Sequence, residues 1–407
     1  MTSRPGRLKI ALLTHSTNPR GGVVHALELA NALAELGHDP VVHAPDVTGA
    51  GFFRATRCAT ALVPAQAVSG ALEDLVRQRI AEYTDYFRPS ARRCFDIYHA
   101  QDGISGNALA NLVEQGSIAG FIRTVHHVDP FTHPDLVAWQ QRAICRAAEV
   151  LCVSRMWRDT LRLDHAVAAT QVANGVDVEH YTPRSDASDQ LLRTRLGIGV
   201  GPVFLTLGGI EQRKNTVATL QAFACIRAQL TSAQLVIAGG ASLLDHGTYQ
   251  RRFEAALARS ALTSGPGQAV ICTGPLPDAE MPALYRIADA LVCASLREGF
   301  GLVVLEAMAS GIPVIVSDSE PFTEYLGARD CLWVDPASSA SIAGGMVAAL
   351  EPATRKDLVA AGRLVSNAFS WRVCAEAHVE IYQKFVARMP VANGHRRDQR
   401  TAERADA

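Results

Sequence analysis

Apolar and polar positions alternate along this chain in two patterns, which together predict a parallel α/β organisation. Short runs of consecutive apolar residues, typical of strands buried on both faces of a sheet, recur through the sequence. Between them, apolar residues follow at the spacing of an amphipathic helix, first over residues 22–36, where Gly37 ends the helix. The predicted strands are residues 8–13, 41–44, 97–100, 120–125, 150–154, 203–207, 235–238, 269–273, 290–293, 313–316 and 331–334.

The length of the chain predicts two domains, because 407 residues exceed one ordinary hydrophobic core. A hydrophobic content of 48% is enough to bury both cores. We expect an N-terminal domain over residues 1–184 and a C-terminal domain over residues 185–370, with the crossover in the polar stretch 183–201. Residues 391–407 are charged and lack core-forming side chains, so we expect a disordered tail.

Charge and cysteine content exclude several classes of function. The chain has 39 Lys and Arg against 40 Asp and Glu, and its net charge of −1 offers no field for steering toward nucleic acid. The nine cysteines form no Cys-x-x-Cys pair, which indicates a reducing cytoplasm. The start of the sequence lacks the apolar region of a signal peptide, and no uncharged apolar run reaches transmembrane length, so we expect at most peripheral membrane contact.

Two carboxylates eight positions apart form the most informative segment. Glu298 would lie in a glycine-rich loop, and Glu306 about one turn into the following helix. Carboxylates accept paired hydrogen bonds from the hydroxyls of a sugar or a ribose, and glycines at a helix start leave backbone N–H groups open to an anion. A sugar nucleotide offers all of these partners, whereas the alternative is a solvated helix start with two surface acids. The predicted donor contacts between the glutamates are Gly299, Phe300, Gly301 and Leu302.

This segment resembles the signature of the retaining glycosyltransferases of family 4, whose members carry a Glu-x7-Glu pair. Further landmarks of that family follow in the same order at residues 20–25, 124–126, 174–177, 208–210 and 213–215. The resemblance extends from about residue 8 to residue 388. It implies the GT-B fold, two facing Rossmann-like domains with parallel sheets and a donor site in the cleft between them. It also implies that the last helix, about residues 371–390, returns to the N-terminal domain.

Arg213 and Lys214 are the candidate diphosphate-binding cations, since positive charge stabilises a departing nucleoside diphosphate. Many family members have arginine where this chain has Gly209, which is itself a predicted donor contact. Arg213 would compensate, or Lys214 alone would reach the phosphates. The alternative is that both cations are solvated charges at a helix start. The resemblance implies that Glu306 holds the nucleotide ribose and Glu298 the donor sugar.

The N-terminal domain contributes two further candidates, the pair Gly21–Gly22 and His126. The two glycines open a helix and permit close approach of a diphosphate, unless they form a plain tight turn. A dinucleotide site is a weaker reading, because Gly-x-Gly-x-x-Gly is absent. The resemblance places His126 opposite the donor sugar, whereas His25 stays open between acceptor contact and surface. We expect residues 174–177 to form a turn without chemistry.

Residues 51–95 contain seven arginines and four acids, an excess of three positive charges. Guanidinium groups bind phosphates and carboxylates, so a phosphorylated, acidic or lipid-linked acceptor is one interpretation. A solvated helical face is the favoured one.

The sequence therefore predicts a retaining glycosyltransferase that moves a sugar from a nucleoside-diphosphate sugar to a hydroxyl acceptor. A UDP sugar is favoured over a GDP or ADP sugar, with His126, Glu298, Lys214 and Arg213 as the catalytic set. We expect no cofactor and no metal, because the sequence has no Asp-x-Asp motif. A sugar-nucleotide epimerase, a phosphorylase, a non-catalytic sugar-nucleotide binding protein and a nicotinamide dehydrogenase remain as alternatives.

Overall fold

The computed structural model of the protein describes residues 6–240 and 247–389, which form two parallel sheets. The predicted α/β class is confirmed. The predicted disordered tail, residues 391–407, lies outside the described residues.

The N-terminal sheet is parallel throughout and is covered by helices. Its strands are β1 (Lys9–Leu13), β2 (Asp39–Asp46), β3 (Ala59–Pro64), β4 (Ile97–Ala100), β5 (Ile122–Val125), β6 (Glu149–Cys152) and β7 (Thr170–Gln171). Their order in space is β3-β2-β1-β4-β5-β6-β7. The helices of this half are α1 (Gly21–Glu35), α2 (Leu72–Phe87), α3 (Gly103–Glu114), α4 (Pro134–Cys145) and α5 (Arg155–His165).

The C-terminal sheet is also parallel, with strands in the order β10-β9-β8-β11-β12-β13 once numbered along the chain. These strands are β8 (Val203–Leu207), β9 (Gln234–Ala238), β10 (Val270–Gly274), β11 (Ala290–Cys293), β12 (Val314–Ser317) and β13 (Leu332–Val334). The remaining helices are α6 (Ala187–Leu196), α7 (Thr216–Arg227), α8 (Gly247–Arg259), α9 (Met281–Arg286), α10 (Leu302–Ala309), α11 (Ser339–Ala348), α12 (Pro352–Ala368) and α13 (Trp371–Arg388).

The central strands are buried and mostly apolar because helices cover both faces of each sheet. Every residue of β8 and β9 is buried, as are residues 10–13 of β1. Continuous apolar runs are the pattern expected of parallel strands with no solvent-facing side. The predicted strand runs therefore coincide with the observed central strands.

Each sheet has one point at which the strand order reverses direction, and these points define where a ligand can bind. In the N-terminal sheet β1 lies between β2 and β4, and in the C-terminal sheet β8 lies between β9 and β11. The loops that leave neighbouring strands at such a point diverge to opposite faces, which opens a crevice at their carboxyl ends. A ligand site is therefore expected at the loops that follow β1, β4, β8 and β11.

The last helix packs against the N-terminal half of the chain. Trp371 and Tyr382 of α13 share a hydrophobic cluster with Val23 and Leu27 of α1. Where the chain crosses back, the N–H of Val176 donates to the carbonyl of Phe369 at 3.0 Å. The two connections between the halves therefore lie side by side. The domain boundaries at 184/185 and 370/371 remain our prediction.

Two segments differ from a simple reading of the sequence. The polar stretch 183–201 contains α6, which buries only Leu192 and Leu196 and so has a weak apolar signal. Within residues 51–95 the structure has β3 and α2, and β3 is a largely exposed edge strand. Among the described residues, no helix is both long enough and apolar enough to cross a membrane.

Candidate functional site

A cleft of about 1300 Å³ lies between the two sheets and is lined by residues of both halves of the chain. Its walls include the loops after β1, β4, β8 and β11, as the two strand-order reversals require. All the predicted site residues except Gly209 line it. The structure therefore brings together segments that are nearly 300 positions apart in the sequence.

Glu298 is buried at the base of the C-terminal wall and holds both candidate cations. Its Oε1 accepts from Lys214 Nζ at 2.6 Å and from Ser295 Oγ at 2.8 Å, and its Oε2 accepts from Arg213 Nη1 at 3.0 Å. Arg213 also lies 3.7 Å from a carboxylate oxygen of Glu211. The two cations are therefore paired with two carboxylates before any ligand binds.

The charge state of Glu298 follows from these partners. Burial by itself would raise the pKa of this carboxyl, but the charges of Lys214 and Arg213 outweigh it and lower the pKa to about 2. Glu298 is thus ionised at neutral pH. It fixes the positions of two cations, of which Lys214 has further N–H groups to offer a ligand.

Backbone contacts between two loops hold this group in place. The N–H of Leu296 donates to the carbonyl of Arg213 at 2.9 Å, and the Asn215 side chain donates to the carbonyl of Ala294 at 3.0 Å. The lysine side chain passes over Gly208, where an added Cβ would lie 2.5 Å from its Cε. Gly208 therefore allows Lys214 to reach across the loop.

Gly209 has a left-handed backbone, with φ of 74°. A Cβ at this position would lie 3.0 Å from the carbonyl oxygen of Gly239, so a larger side chain would be strained. It is the one predicted site residue that does not line the cleft. Arg213, four residues later, supplies the guanidinium on this wall.

Glu306 lies on α10 and has a different environment from Glu298. Its Oε2 accepts a hydrogen bond from the hydroxyl of Tyr285 at 2.6 Å. Burial raises the pKa of Glu306 to about 7, although the Tyr285 hydrogen bond acts in the opposite direction. The carboxyl of Glu306 therefore titrates near neutral pH, whereas that of Glu298 stays ionised there.

The glycines between the two glutamates allow close packing across the cleft. An added Cβ at Gly299 would lie 2.5 Å from the carbonyl oxygen of His126, so the two walls meet here. Gly301 has φ of 95° and faces the ring of Phe322, which leaves no room for a side chain. Phe300 stacks on Tyr325 with ring centroids 4.9 Å apart, and α10 begins at Leu302.

His126 lies on the opposite wall, directly after β5. Its Nε2 is 3.0 Å from the Gln101 Oε1, and its ring packs edge-on against His25 with centroids 4.8 Å apart. Burial holds the pKa of His126 well below its ordinary value, so the ring is neutral at physiological pH. His127 points elsewhere, and its half-exposed ring lies 3.3 Å from a carboxylate oxygen of Asp129.

His25 is fully buried, so the predicted alternative of a surface position is wrong. Its Nδ1 is 2.9 Å from the Asn174 Oδ1, and burial lowers the pKa of the ring to about 3. Asn174 was expected to form part of a turn without chemistry, but its buried side chain supports this histidine and lines the cleft. His25 Nδ1 and Asn174 Oδ1 engage each other, whereas the buried Nε2 of His25 has no hydrogen-bond partner.

Gly21 and Gly22 begin α1 at the edge of the cleft. An added Cβ at Gly22 would lie 3.3 Å from a ring carbon of His126, so the helix start packs closely on the histidine. The N-terminus of a helix carries partial positive charge. The two glycines thus place that charge beside His126.

The seven arginines of residues 51–95 do not form an anion-binding surface in the cleft, because none of them lines it. Arg54 is paired with Glu28 and Asp278, and Arg79 with Glu82. The others pair with acids or donate to backbone carbonyls, as follows: Arg57, Arg77, Arg88, Arg92 and Arg93. These arginines are therefore engaged by partners within the protein and do not face the cleft.

Sequence reasoning did not identify three polar residues of the N-terminal wall. Gln101 and Asp102 follow β4, Arg123 lies on β5, and all three line the cleft. The available signal was a single arginine within the apolar run 120–125. No group of three or more metal-ligating side chains occurs within residues 6–240 and 247–389.

Comparison with known protein families accounts for most of the chain. The model described as Glycosyltransferase Family 4 matches residues 19–180. The model described as Glycosyl transferases group 1 matches residues 191–365. The first match ends and the second begins between the last strand of the N-terminal sheet and the first strand of the C-terminal sheet. One family model therefore corresponds to each half of the chain. The chain is a family 4 glycosyltransferase.

Curated relatives of this family 4 glycosyltransferase span nearly its whole length. A D-inositol 3-phosphate glycosyltransferase of Xylanimonas cellulosilytica is 27% identical, covering 94% of this chain and 98% of the relative. A GDP-mannose-dependent alpha-(1-6)-phosphatidylinositol monomannoside mannosyltransferase of Mycobacterium tuberculosis is also 27% identical, covering 76% of this chain and 80% of the relative.

Solved structures agree on the fold of the family 4 glycosyltransferase. Sucrose-phosphate synthase from Thermosynechococcus elongatus superimposes with a TM-score of 0.76 at 21% identity, covering 94% of this chain and all of the other. HepE from Anabaena, solved with UDP and glucose, superimposes with a TM-score of 0.71 at 18% identity, covering 92% of this chain and 99% of HepE. The predicted GT-B fold is confirmed.

Proposed function

We propose that this glycosyltransferase transfers a sugar from a nucleoside-diphosphate sugar to a hydroxyl acceptor with retention of configuration. The observation that carries the proposal is the buried carboxylate of Glu298 with its two cations, Lys214 and Arg213, on the wall of the cleft opposite His126. Two cations beside a helix start suit a diphosphate, and two carboxylates eight residues apart suit two sets of hydroxyls.

Each residue of the C-terminal wall has a distinct part in this proposal. Lys214, with support from Arg213, stabilises the charge that develops on the departing diphosphate. Glu298 holds both cations and accepts from a hydroxyl of the donor sugar, whereas Glu306 accepts from the nucleotide ribose. The backbone of Gly299 to Leu302 approaches the donor between them, and the start of α1 covers the phosphates from the other side.

The chemistry needs no protein nucleophile. The carboxylate of Glu298 is already engaged by two cations and a hydroxyl, which makes it a poor candidate for covalent attack. We propose substitution on the front face of the sugar. The bond from the anomeric carbon to the phosphate oxygen breaks, the acceptor oxygen bonds to the same carbon, and the acceptor proton passes to the departing phosphate. His126, which is neutral and half-buried, orients the sugar.

The donor base and the location of the enzyme also belong to the proposal. A UDP sugar is the first donor to test, as in HepE, which was solved with UDP-glucose. A GDP sugar is the second, because the mannosyltransferase relatives are GDP-mannose-dependent by name. We propose a cytoplasmic enzyme, with any membrane contact peripheral.

A thermal-shift screen against UDP, GDP, ADP and dTDP sugars tests the proposal. A ligand at 100 times its dissociation constant stabilises a protein by about 2.7 kcal/mol. One donor should raise the melting temperature, and the Glu306→Gln variant should lose that shift. The control variant Arg88→Gln should keep it, because Arg88 forms only an exposed ion pair with Asp85. Release of the nucleoside diphosphate with an unchanged anomeric configuration in the product supports transfer. Stabilisation by NAD with no response to any sugar nucleotide would overturn the proposal.

A further inference from the structure

Three buried polar atoms on the N-terminal wall of the cleft have no hydrogen-bond partner. They are Gln101 Nε2, Asp102 Oδ2 and Arg123 Nε. Gln101 and Asp102 follow β4, Arg123 lies on the neighbouring strand β5, and all three residues line the cleft. Buried polar groups are normally paired, so three atoms without a hydrogen bond on one wall are candidates for contact with a ligand.

Arg123 is the most informative of the three, because its side chain is charged and only 6% of the residue is exposed. Its Nη1 donates to the carbonyl of Thr124. No carboxylate within the described residues forms an ion pair with it, whereas Arg213 and Arg54 each have two. Burial lowers the pKa of Arg123 to about 10, which still leaves it charged at neutral pH.

A buried charge without a counter-ion is costly, and removing one partner of a buried pair leaves an uncompensated charge of this kind. The closest source of compensation is Asp102, which raises the Arg123 pKa without contacting it. The same Oδ2 of Asp102 lies 3.8 Å from Nδ1 of His15, which is beyond hydrogen-bond distance but within the distance of an ion pair when that histidine is protonated. The free protein thus contains a guanidinium at the cleft wall without an ion-paired counter-ion.

The neighbouring atoms define what else the ligand carries. His126 engages Gln101 Oε1, so the Gln101 amide N–H groups remain for an acceptor atom on a ligand. Asp102 Oδ2 has no hydrogen bond, although His15 lies at ion-pair distance, so this oxygen can accept from a donor on a ligand. A hydroxyl can donate to the carboxylate and accept from the amide.

We propose that the sugar acceptor of this enzyme is a polyhydroxylated molecule with an anionic group, a phosphate or a carboxylate, which binds Arg123. Its hydroxyls bind Gln101 and Asp102. The inference rests on the proposed function, since it places the second substrate in the same cleft. Bidentate guanidinium contacts favour planar carboxylates and phosphates over neutral hydroxyls.

The test compares matched molecules that differ only in the anionic group. Glucose, glucose 6-phosphate and glucuronate are titrated into enzyme saturated with its nucleoside diphosphate, and inorganic phosphate and acetate serve as the minimal probes. Wild type should bind one anionic member about 10- to 150-fold more tightly than glucose. Arg123→Met should lose that preference, Arg123→Lys should keep part of it, and Arg88→Gln should behave as wild type. Tighter binding of glucose 6-phosphate would show that the anionic group of the acceptor is a phosphate, and tighter binding of glucuronate would show that it is a carboxylate.

Melting temperature separates a ligand-binding arginine from a structural one. Methionine fills the space of the side chain without a charge, so Arg123→Met should melt at or above the wild-type temperature in the absence of ligands. Loss of both stability and anion preference would identify a structural role and overturn the inference. Equal binding of anionic and neutral members by wild type would overturn it as well.

Failure of this inference and failure of the proposed function give different results. If the nucleoside diphosphate binds and a neutral acceptor is glycosylated as well by Arg123→Met as by wild type, only the acceptor inference is wrong. If no sugar nucleotide binds, the proposed function is wrong, and anion binding at Arg123 is then judged by inorganic phosphate and acetate alone.

Discussion

The two walls of the cleft handle buried charge in opposite ways. On the C-terminal wall Glu298 is bound by Lys214 and Arg213, and Arg213 lies near Glu211 as well. On the N-terminal wall, polar atoms without a hydrogen-bond partner remain on Gln101, Asp102 and Arg123. One wall is electrostatically complete before any ligand binds, and the other is not.

This difference teaches which substrate each wall suits. A paired, hydrogen-bonded group is already organised and spends no reorganisation energy when the reaction occurs, as stabilisation of a leaving group requires. An unpaired group is unfavourable until a ligand completes it, which favours a ligand with matching groups over one without them. We therefore assign the donor to the C-terminal wall and the acceptor to the N-terminal wall.

Acid should destabilise the fold of the N-terminal half before that of the C-terminal half. This is the largest effect that we expect. Burial lowers the pKa of His25 to about 3 and of His43 and His378 to about 4, and it places those of His99 and His126 well below the ordinary value. Each such group contributes stability that is present above pH 6.5 and is lost as the pH falls toward the folded pKa, at up to about 1.4 kcal/mol per pH unit.

The C-terminal half should respond to acid in the opposite sense. Its described residues, 185–240 and 247–370, contain no histidine, and the raised pKa of Glu306 makes protonation there favourable to folding between about pH 4.5 and 7. Hydrogen exchange at pH 7.5, 6.5 and 5.5 should show protection falling in β1, β4 and α13 before β8 and β11. Uniform loss across both sheets would contradict the comparison.

Replacing Lys214 should have the largest effect on turnover. Removal of one preorganised donor from a developing negative charge typically lowers kcat about 100- to 1000-fold. Lys214→Met should show a loss of that size in steady-state assays, with circular dichroism verifying the fold. Lys356→Ala, an exposed lysine on α12, serves as the control. A change smaller than the control's scatter would remove Lys214 from the mechanism.

Nucleotide affinity should depend on pH through Glu306. If the carboxylate form accepts from the ribose, affinity falls about tenfold per pH unit below the pKa of about 7 and is constant above it. Glu306→Gln should abolish this dependence and leave only the ionisation of the nucleotide itself. Calorimetry with the bare nucleoside diphosphate from pH 5.5 to 8 measures both curves. Parallel curves for the two proteins would exclude Glu306 from the ribose site.

Metal removal should have the smallest effect. Lys214, Arg213 and the start of α1 supply positive charge to the diphosphate, and the sequence lacks Asp-x-Asp. Transfer, or slow donor hydrolysis, should survive EDTA unchanged. Complete loss of activity that Mn²⁺ restores would show that a cation performs the work assigned here to Lys214.

The sequence predicted the C-terminal wall better than the N-terminal wall, for a physical reason. Glu298 to Glu306 is one contiguous segment, and Lys214 follows its strand within a few residues, so local pattern places each of them. The central strands were equally predictable from the sequence, because continuous apolar runs indicate burial on both faces of a sheet. The edge strand β3 and helix α6 were not identified, since each buries few side chains.

The N-terminal wall could not be predicted, because it is assembled from residues distant in the sequence. His25 lies on the buried face of α1, but the partner of its Nδ1 is Asn174, 149 positions later in the sequence. Arg123 sits in an apolar strand, where its lack of a carboxylate partner becomes visible only once the neighbouring strand is in place. Unpaired groups leave no local pattern, since they are defined by what is absent around them.

Titration of the bare nucleoside diphosphate into three variants tests the division between the walls most directly. Glu306→Gln should weaken binding about 10- to 150-fold, the cost of one charged hydrogen bond. Glu298→Gln should not weaken it, because Lys214 and Arg213 keep their charge, and should lower turnover instead. Arg123→Met should bind the nucleotide as wild type does. If Arg123→Met weakens nucleotide binding as much as Glu306→Gln, or if Glu306→Gln has no effect, the assignment of donor and acceptor to separate walls is wrong.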